Sequence, residues 1–108
     1  MELQFPKDFP SAPPFVRVIR PRFQFHTGHV TIGGSICTEQ LTRGDGPGAW
    51  TAAIAVSSLL LYLHSTIIDG RGRVDFGSAH HPRPELEYSD AEARAAFMRV
   101  ARQHGWQP

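Results

Sequence analysis

The sequence predicts a small mixed fold, short extended segments followed by two helices, and three observations carry that reading. Prolines punctuate a β-like first third over residues 3–32, an apolar run over residues 50–65 has the length of a helix, and Ser89-Asp90-Ala91-Glu92 writes a helix start before a last amphipathic stretch. The chain has 108 residues, one cysteine, six histidines and a formal net charge of +1. That length suits one domain around one modest core. So even a charge balance offers no concentrated basic field, and neither nucleic acid nor an anionic membrane surface is expected as a partner. Met1-Glu2-Leu3-Gln4-Phe5-Pro6 lacks the basic start and apolar run of a secretory signal, and a lone cysteine supports no internal disulfide framework. A reducing compartment is expected.

Taken in order, Phe5-Pro6, Phe9-Pro10 and Pro13-Pro14 break the early chain, because proline has no N–H to give a ladder; this part is expected at an edge or in a loop. Phe15-Val16-Arg17-Val18-Ile19 alternates as a strand, and Arg22-Phe23-Gln24-Phe25 is a further short extended piece before a turn at Thr27-Gly28. Gly33-Gly34-Ser35-Ile36-Cys37 is a tight approach to the cysteine, and residues 41–48 form a polar, glycine-rich loop. The helix over residues 50–65 is apolar on most faces, which predicts that it is covered on several sides. With Ser57 and Ser58 inside residues 52–63, this run falls short of the roughly 20 residues of a membrane span. Asp69-Gly70-Arg71-Gly72 is a turn, residues 73–77 a short strand, and His80-His81-Pro82-Arg83-Pro84 an extended loop. A capping box, Ser89 with Glu92, opens the last helix over residues 90–103, with Ala93, Phe97, Val100 and Ala101 on one face and His104-Gly105 as its stop.

Cys37 poses the chemical question. A single cysteine after Ile36 reads either as a small buried hydrophobe or as a nucleophile. Gly33 and Gly34 let the backbone fold closely and are expected to leave space beside the sulfur for another chain. A thiol in such a setting can hold an acyl group as a thioester. Neither metal nor cofactor is expected, because His80-His81 has no second pair at ligand spacing and one cysteine makes no zinc set. Arg71 and Arg73 read as a solvated pair or as a small anion patch.

These residues carry a resemblance. Phe5-Pro6-Lys7-Asp8-Phe9-Pro10-Ser11-Ala12-Pro13-Pro14-Phe15-Val16-Arg17-Val18 resembles the strand and Pro-rich loop of ubiquitin-conjugating enzymes, and Gly34-Ser35-Ile36-Cys37 resembles their catalytic-site sequence. Trp50 matches the Trp that opens the helix after that site. The Q-type subfamily is similar over Pro14 to Val18, Gly33 to Cys37, Leu41-Thr42, Gly72 to Gly77 and the closing Gly105-Trp106. The resemblance implies an α+β fold, a small antiparallel sheet packed on a central helix with a C-terminal helix, in one domain over residues 1–108. It begins at the third strand of that fold, which implies an N-terminally truncated domain without the first helix and first two strands.

By the same resemblance Cys37 is the catalytic nucleophile, accepting ubiquitin or a ubiquitin-like protein from an activating enzyme and passing it to an amine or hydroxyl acceptor. Most of the family has His-Pro-Asn upstream, with Asn eight residues before the cysteine. Thr27-Gly28-His29 stands there instead. His29 reads either as oxyanion donor or base, since an imidazole can donate an N–H and take a proton near neutral pH, or as a cap of the turn beside Gly28. Asp69 corresponds to an acidic gate near the cysteine or simply begins its turn. Trp106 carries over from the subgroup's ending, while the subgroup's histidine five residues before that Trp falls on Ala101. Partner contacts, including a ligase, are implied at Pro13, Pro14, Trp50 and Ala52, with Ala52 where the wider family has Pro. The implied location is cytoplasmic or nuclear. The class-distinct alternative is a non-catalytic ubiquitin-binding or scaffolding module, or an inactive fragment of a conjugating enzyme.

Overall fold

Prolines decide how much of the first third becomes sheet. In a computed structural model describing residues 1–108, Glu2–Gln4 (β1) and Phe15–Arg17 (β2) pair antiparallel, with Glu2 opposite Arg17 and Gln4 opposite Phe15. The strand expected to reach Ile19 ends at Arg17. Beyond it, single bridges replace ladders: Arg17 faces Ser35, Phe23 faces Val74, and Val30 faces Ile36. The segment 73–77, expected as a strand, contributes only the Val74 bridge. Its Asp75 carboxylate accepts from the Gly77 N–H at 2.9 Å and the Ser78 hydroxyl at 2.6 Å, a local turn that ends the extension.

The helix expected over residues 50–65 is instead Val56–Asp69 (α1). Trp50 is held elsewhere: its indole Nε1 donates to the Pro10 carbonyl at 2.8 Å and its backbone N–H to the Thr42 carbonyl at 3.2 Å. Those anchors fix the chain ahead of the helix. α1 then starts after Ala55, an N-cap in extended conformation with no side-chain bond to offer. Nor is α1 covered on several sides. Leu59 and Leu63 are fully buried and Ile67 packs beside them, whereas Leu60, Leu61, Tyr62 and Ile68 are exposed, Leu61 at 71%. One core can take only one stripe of a helix, here at i, i+4, i+8.

The last helix, Asp90–His104 (α2), follows its sequence signals closely. Ser89 Oγ accepts from the Glu92 N–H at 3.1 Å, the Glu92 carboxylate accepts from the Ser89 N–H at 2.8 Å, and Gly105 closes the helix with a left-handed φ of 73°. It buries Ala93, Ala96, Phe97 and Ala101. Val16 and Val18, Ile36, Leu59 and Leu63, Tyr88 and Phe97 meet in one core, so the architecture is α+β: a small antiparallel sheet and two helices. No helix is long and apolar enough to cross a membrane.

Glu92 also anchors a part-buried polar clamp. The Arg22 guanidinium donates to both Glu92 carboxylate oxygens at 3.0 and 3.1 Å, to the Leu86 and Glu87 carbonyls, and to His81 Nδ1 at 3.2 Å, lying over the Tyr88 ring. Burial opposes the Glu92 charge, but the hydrogen bonds from Arg22 and from the Ser89 N–H prevail and hold its carboxyl below the usual range. His81 is buried; since Arg22 can only donate, Nδ1 accepts and the Nε2–H is left without a partner. Burial first, and then the Arg22 charge, lowers its pKa. His81 is thus a packing group of the clamp.

Candidate active site

Cys37 and His29 are eight positions apart in sequence but share one end of a tight hairpin, residues 29–37. The Cys37 N–H donates to the His29 carbonyl at 2.7 Å, the Thr31 N–H to the Ser35 carbonyl at 2.8 Å, and the Gly34 N–H to the Thr31 carbonyl at 3.0 Å. Inside the turn, the Thr31 and Ser35 hydroxyls bond at 2.7 Å, both buried. A side-chain pair of this kind satisfies groups that water cannot reach, and it fixes the register that sets Cys37 beside His29.

The glycines before the cysteine act differently from the expectation. The space they leave is filled from within the chain. A Cβ on Gly33 would collide with the Glu92 carbonyl and the Ala96 Cβ of α2, and one on Gly34, at φ 95°, would enter the Tyr88 ring. Glycine here brings the hairpin onto α2. The opening beside Cys37 is instead a cleft of about 490 Å³ between the hairpin and the C-terminal half of α2, lined by Cys37, His29, Phe25, His26, Arg99 and His104 among others. At its rim the Gly70 carbonyl accepts from the Gly28 N–H at 2.9 Å, and a Cβ on Gly70 would press on the His29 ring at 2.7 Å. The exit of α1 therefore backs the imidazole.

Cys37 is partly buried and free. Burial pushes its thiol above the ordinary value, with no neighbouring charge or hydrogen bond pulling it down. Near neutral pH the group is therefore a thiol rather than a thiolate. His29, exposed in the left-handed region at φ 56°, lines the same cleft and supplies an imidazole there. His26, His29, His104 and Cys37 do not form a group that could hold a metal ion.

The remaining expected residues are dispersed. Asp69 is exposed and closes α1 next to Gly70, outside the residues that line the cleft. Trp106 reaches the cleft only through His104, on which its ring stacks at 4.3 Å and 12°. Pro13 and Pro14 are buried, lining a separate hollow of about 240 Å³ beside Phe97, and Trp50 is turned inward. Those three are buried, which leaves Ala52 as the exposed one of the four expected partner contacts. Sequence reasoning missed Arg99, Gln103 and His104. Their signal was helical spacing: positions 99, 100, 103 and 104 share one face of α2 and all line the cleft.

No family model matches the chain. Among curated relatives, it is 33% identical over 98% of its length to "Ubiquitin-conjugating enzyme E2Q-like protein CG4502" of Drosophila melanogaster, covering 32% of that protein. It is likewise 33% identical over 98% of its length to "Ubiquitin-conjugating enzyme E2Q-like protein 1" of Homo sapiens, covering 62% of it. To "Ubiquitin-conjugating enzyme E2 25" of Caenorhabditis elegans it is 35% identical over 94% of its length, 24% of that protein. The chain therefore spans less than two thirds of each of these relatives.

Proposed function

The chain belongs to the Q-type ubiquitin-conjugating enzyme family, and from that premise we propose that it carries ubiquitin or a ubiquitin-like protein as a thioester on Cys37. The observation that carries this reading is a free thiol and an imidazole lining one cleft, on a hairpin that holds their backbones side by side. In the first step Cys37 Sγ attacks the acyl carbon of the thioester presented by an activating enzyme. A new C–S bond forms, the old one breaks, and the Cys37 proton leaves with the departing thiol. In the second step the nitrogen or oxygen of an acceptor attacks the same carbon, the C–S bond to Cys37 breaks, and the acceptor proton passes to the thiolate. His29 is the group for that transfer, as base toward the acceptor or as N–H donor to the tetrahedral oxyanion. Asp69 and Trp106 act at one remove, and a ligase is a further partner at the Ala52 side. The reaction belongs in the cytoplasm or nucleus, where thiols stay reduced.

The test is incubation with activating enzyme, ATP and ubiquitin. A thiol-reducible adduct is expected, lost in Cys37→Ala and converted to a reductant-resistant ester in Cys37→Ser. Absence of the adduct across several activating enzymes and modifiers overturns the proposal. His29→Ala is expected to charge but to discharge slowly, and unchanged discharge removes His29 from the mechanism. A second reading, a non-catalytic ubiquitin-binding or scaffolding module, is favoured by one observation: nothing near Cys37 lowers its pKa. Ubiquitin binding without charging is its signature.

A further inference from the structure

The ionisable groups that line the Cys37 cleft are all potentially cationic apart from the thiol itself. They are His26, His29, His104 and Arg99, and no carboxylate is among the lining residues. Arg99 is the fixed charge of the set. Most of the other arginines have acidic partners: Arg17 pairs with Glu2, Arg20 with Glu87, Arg22 with Glu92, Arg43 with Asp8, Arg83 with Glu85 and Arg94 with Asp90. Arg99 has no such ion pair. Arg71, Arg73 and Arg102 also lack one, yet none of them lines the cleft.

The helix dipole does not account for the position of Arg99. Cations favour the last helical turn, where Arg102 and His104 already stand, and that effect fades within one turn. Arg99 lies before that turn, on the face shared with Val100, Gln103 and His104. A guanidinium without an acidic neighbour, at the wall of a cleft that holds a thiol, can pair with a carboxylate or phosphate.

On the reading that Cys37 carries the modifier, we propose that this cleft selects acceptors in which an anionic side chain stands next to the attacking nucleophile, held by Arg99. The substrate class is an acidic acceptor peptide. A basic flank is disfavoured, because it meets like charge with no carboxylate in the lining to offset it. The preference weakens as ionic strength rises, since Arg99 is solvent-exposed.

The experiment begins by measuring the charging of the wild type, Arg99→Gln and Arg99→Glu, so that discharge is compared per charged molecule. Single-turnover discharge is then followed with peptides identical except for Asp, phosphoserine, Asn or Lys beside the acceptor residue. The wild type is expected to favour the Asp and phosphoserine peptides about fivefold over Asn; the ratio between these two says whether carboxylate or phosphate is the better fit. The preference disappears in Arg99→Gln and turns toward Lys in Arg99→Glu. Equal rates with all four peptides, or a preference that survives Arg99→Gln, overturn the inference. Failure to charge concerns the thioester reading instead. In that event the same peptides are titrated into the uncharged chain by NMR: shifts at positions 99–104 that require both Asp and Arg99 support the inference, and no shifts with any peptide overturn it.

Discussion

The two helices are nearly equal in length and opposite in construction. α1 is apolar in sequence yet buries only Leu59 and Leu63 and starts at an N-cap with no side-chain bond. α2 is polar in sequence, buries Ala93, Ala96, Phe97 and Ala101, and is closed by a capping box at one end and a left-handed glycine at the other. Apolar content thus says little about how firmly a helix is placed. What places α2 is small residues that admit close packing, a satisfied start and a clamp from Arg22; what places α1 is one stripe of leucines.

The largest way to break the comparison is to remove one side chain from each helix. Phe97→Ala in α2 is expected to cost about 3–5 kcal/mol and Leu61→Ala in α1 less than about 0.5 kcal/mol, read as midpoint shifts in urea. Comparable costs in both would mean that the outer face of α1 is covered. Exchanging the caps comes next. Ser89→Ala is expected to lose about 1 kcal/mol, while Ala55→Ser, at an extended position that already suits a cap, gains up to about 1 kcal/mol. A loss on Ala55→Ser would show that the start of α1 is set by tertiary contacts alone.

The smallest expected effect is one of pH. His81 is buried, and its pKa in the folded chain lies below the ordinary 6.5. The unfolded chain therefore takes up this proton first as pH falls, so the contribution of neutral His81 is complete above about 6.5 and is lost as pH drops toward the folded value. Urea midpoints measured across that window should fall with pH in the wild type and fall less in His81→Gln. An identical slope in the variant would place the pH dependence outside the clamp around α2.

Local chemistry made much of this legible. Ser89 and Glu92 mark the start of α2 because a cap is a contact within four residues, and the Gly105 stop is equally local. Cys37 and His29 were paired through the family resemblance, and the short hairpin over residues 29–37 holds their backbones side by side. Trp50 was misread as the opening of a helix because its hydrogen bond to Pro10 crosses forty positions of sequence. The same distance effect hid the wall of the cleft. Nothing near Cys37 in sequence announces that Arg99 and His104 face it, since that depends on the hairpin lying against α2, and helical spacing alone does not say which face meets which neighbour.

The glycines at 33, 34 and 70 set dimensions by what they omit. Each marks a place where a backbone segment and its neighbour come nearer than a methyl group permits: hairpin to α2, hairpin to the Tyr88 ring, and the exit of α1 to the His29 ring. The width of the cleft is therefore written in absent atoms. An alanine at any of the three would act as a shim, wedging one wall outward and moving Cys37 or His29 without altering either residue.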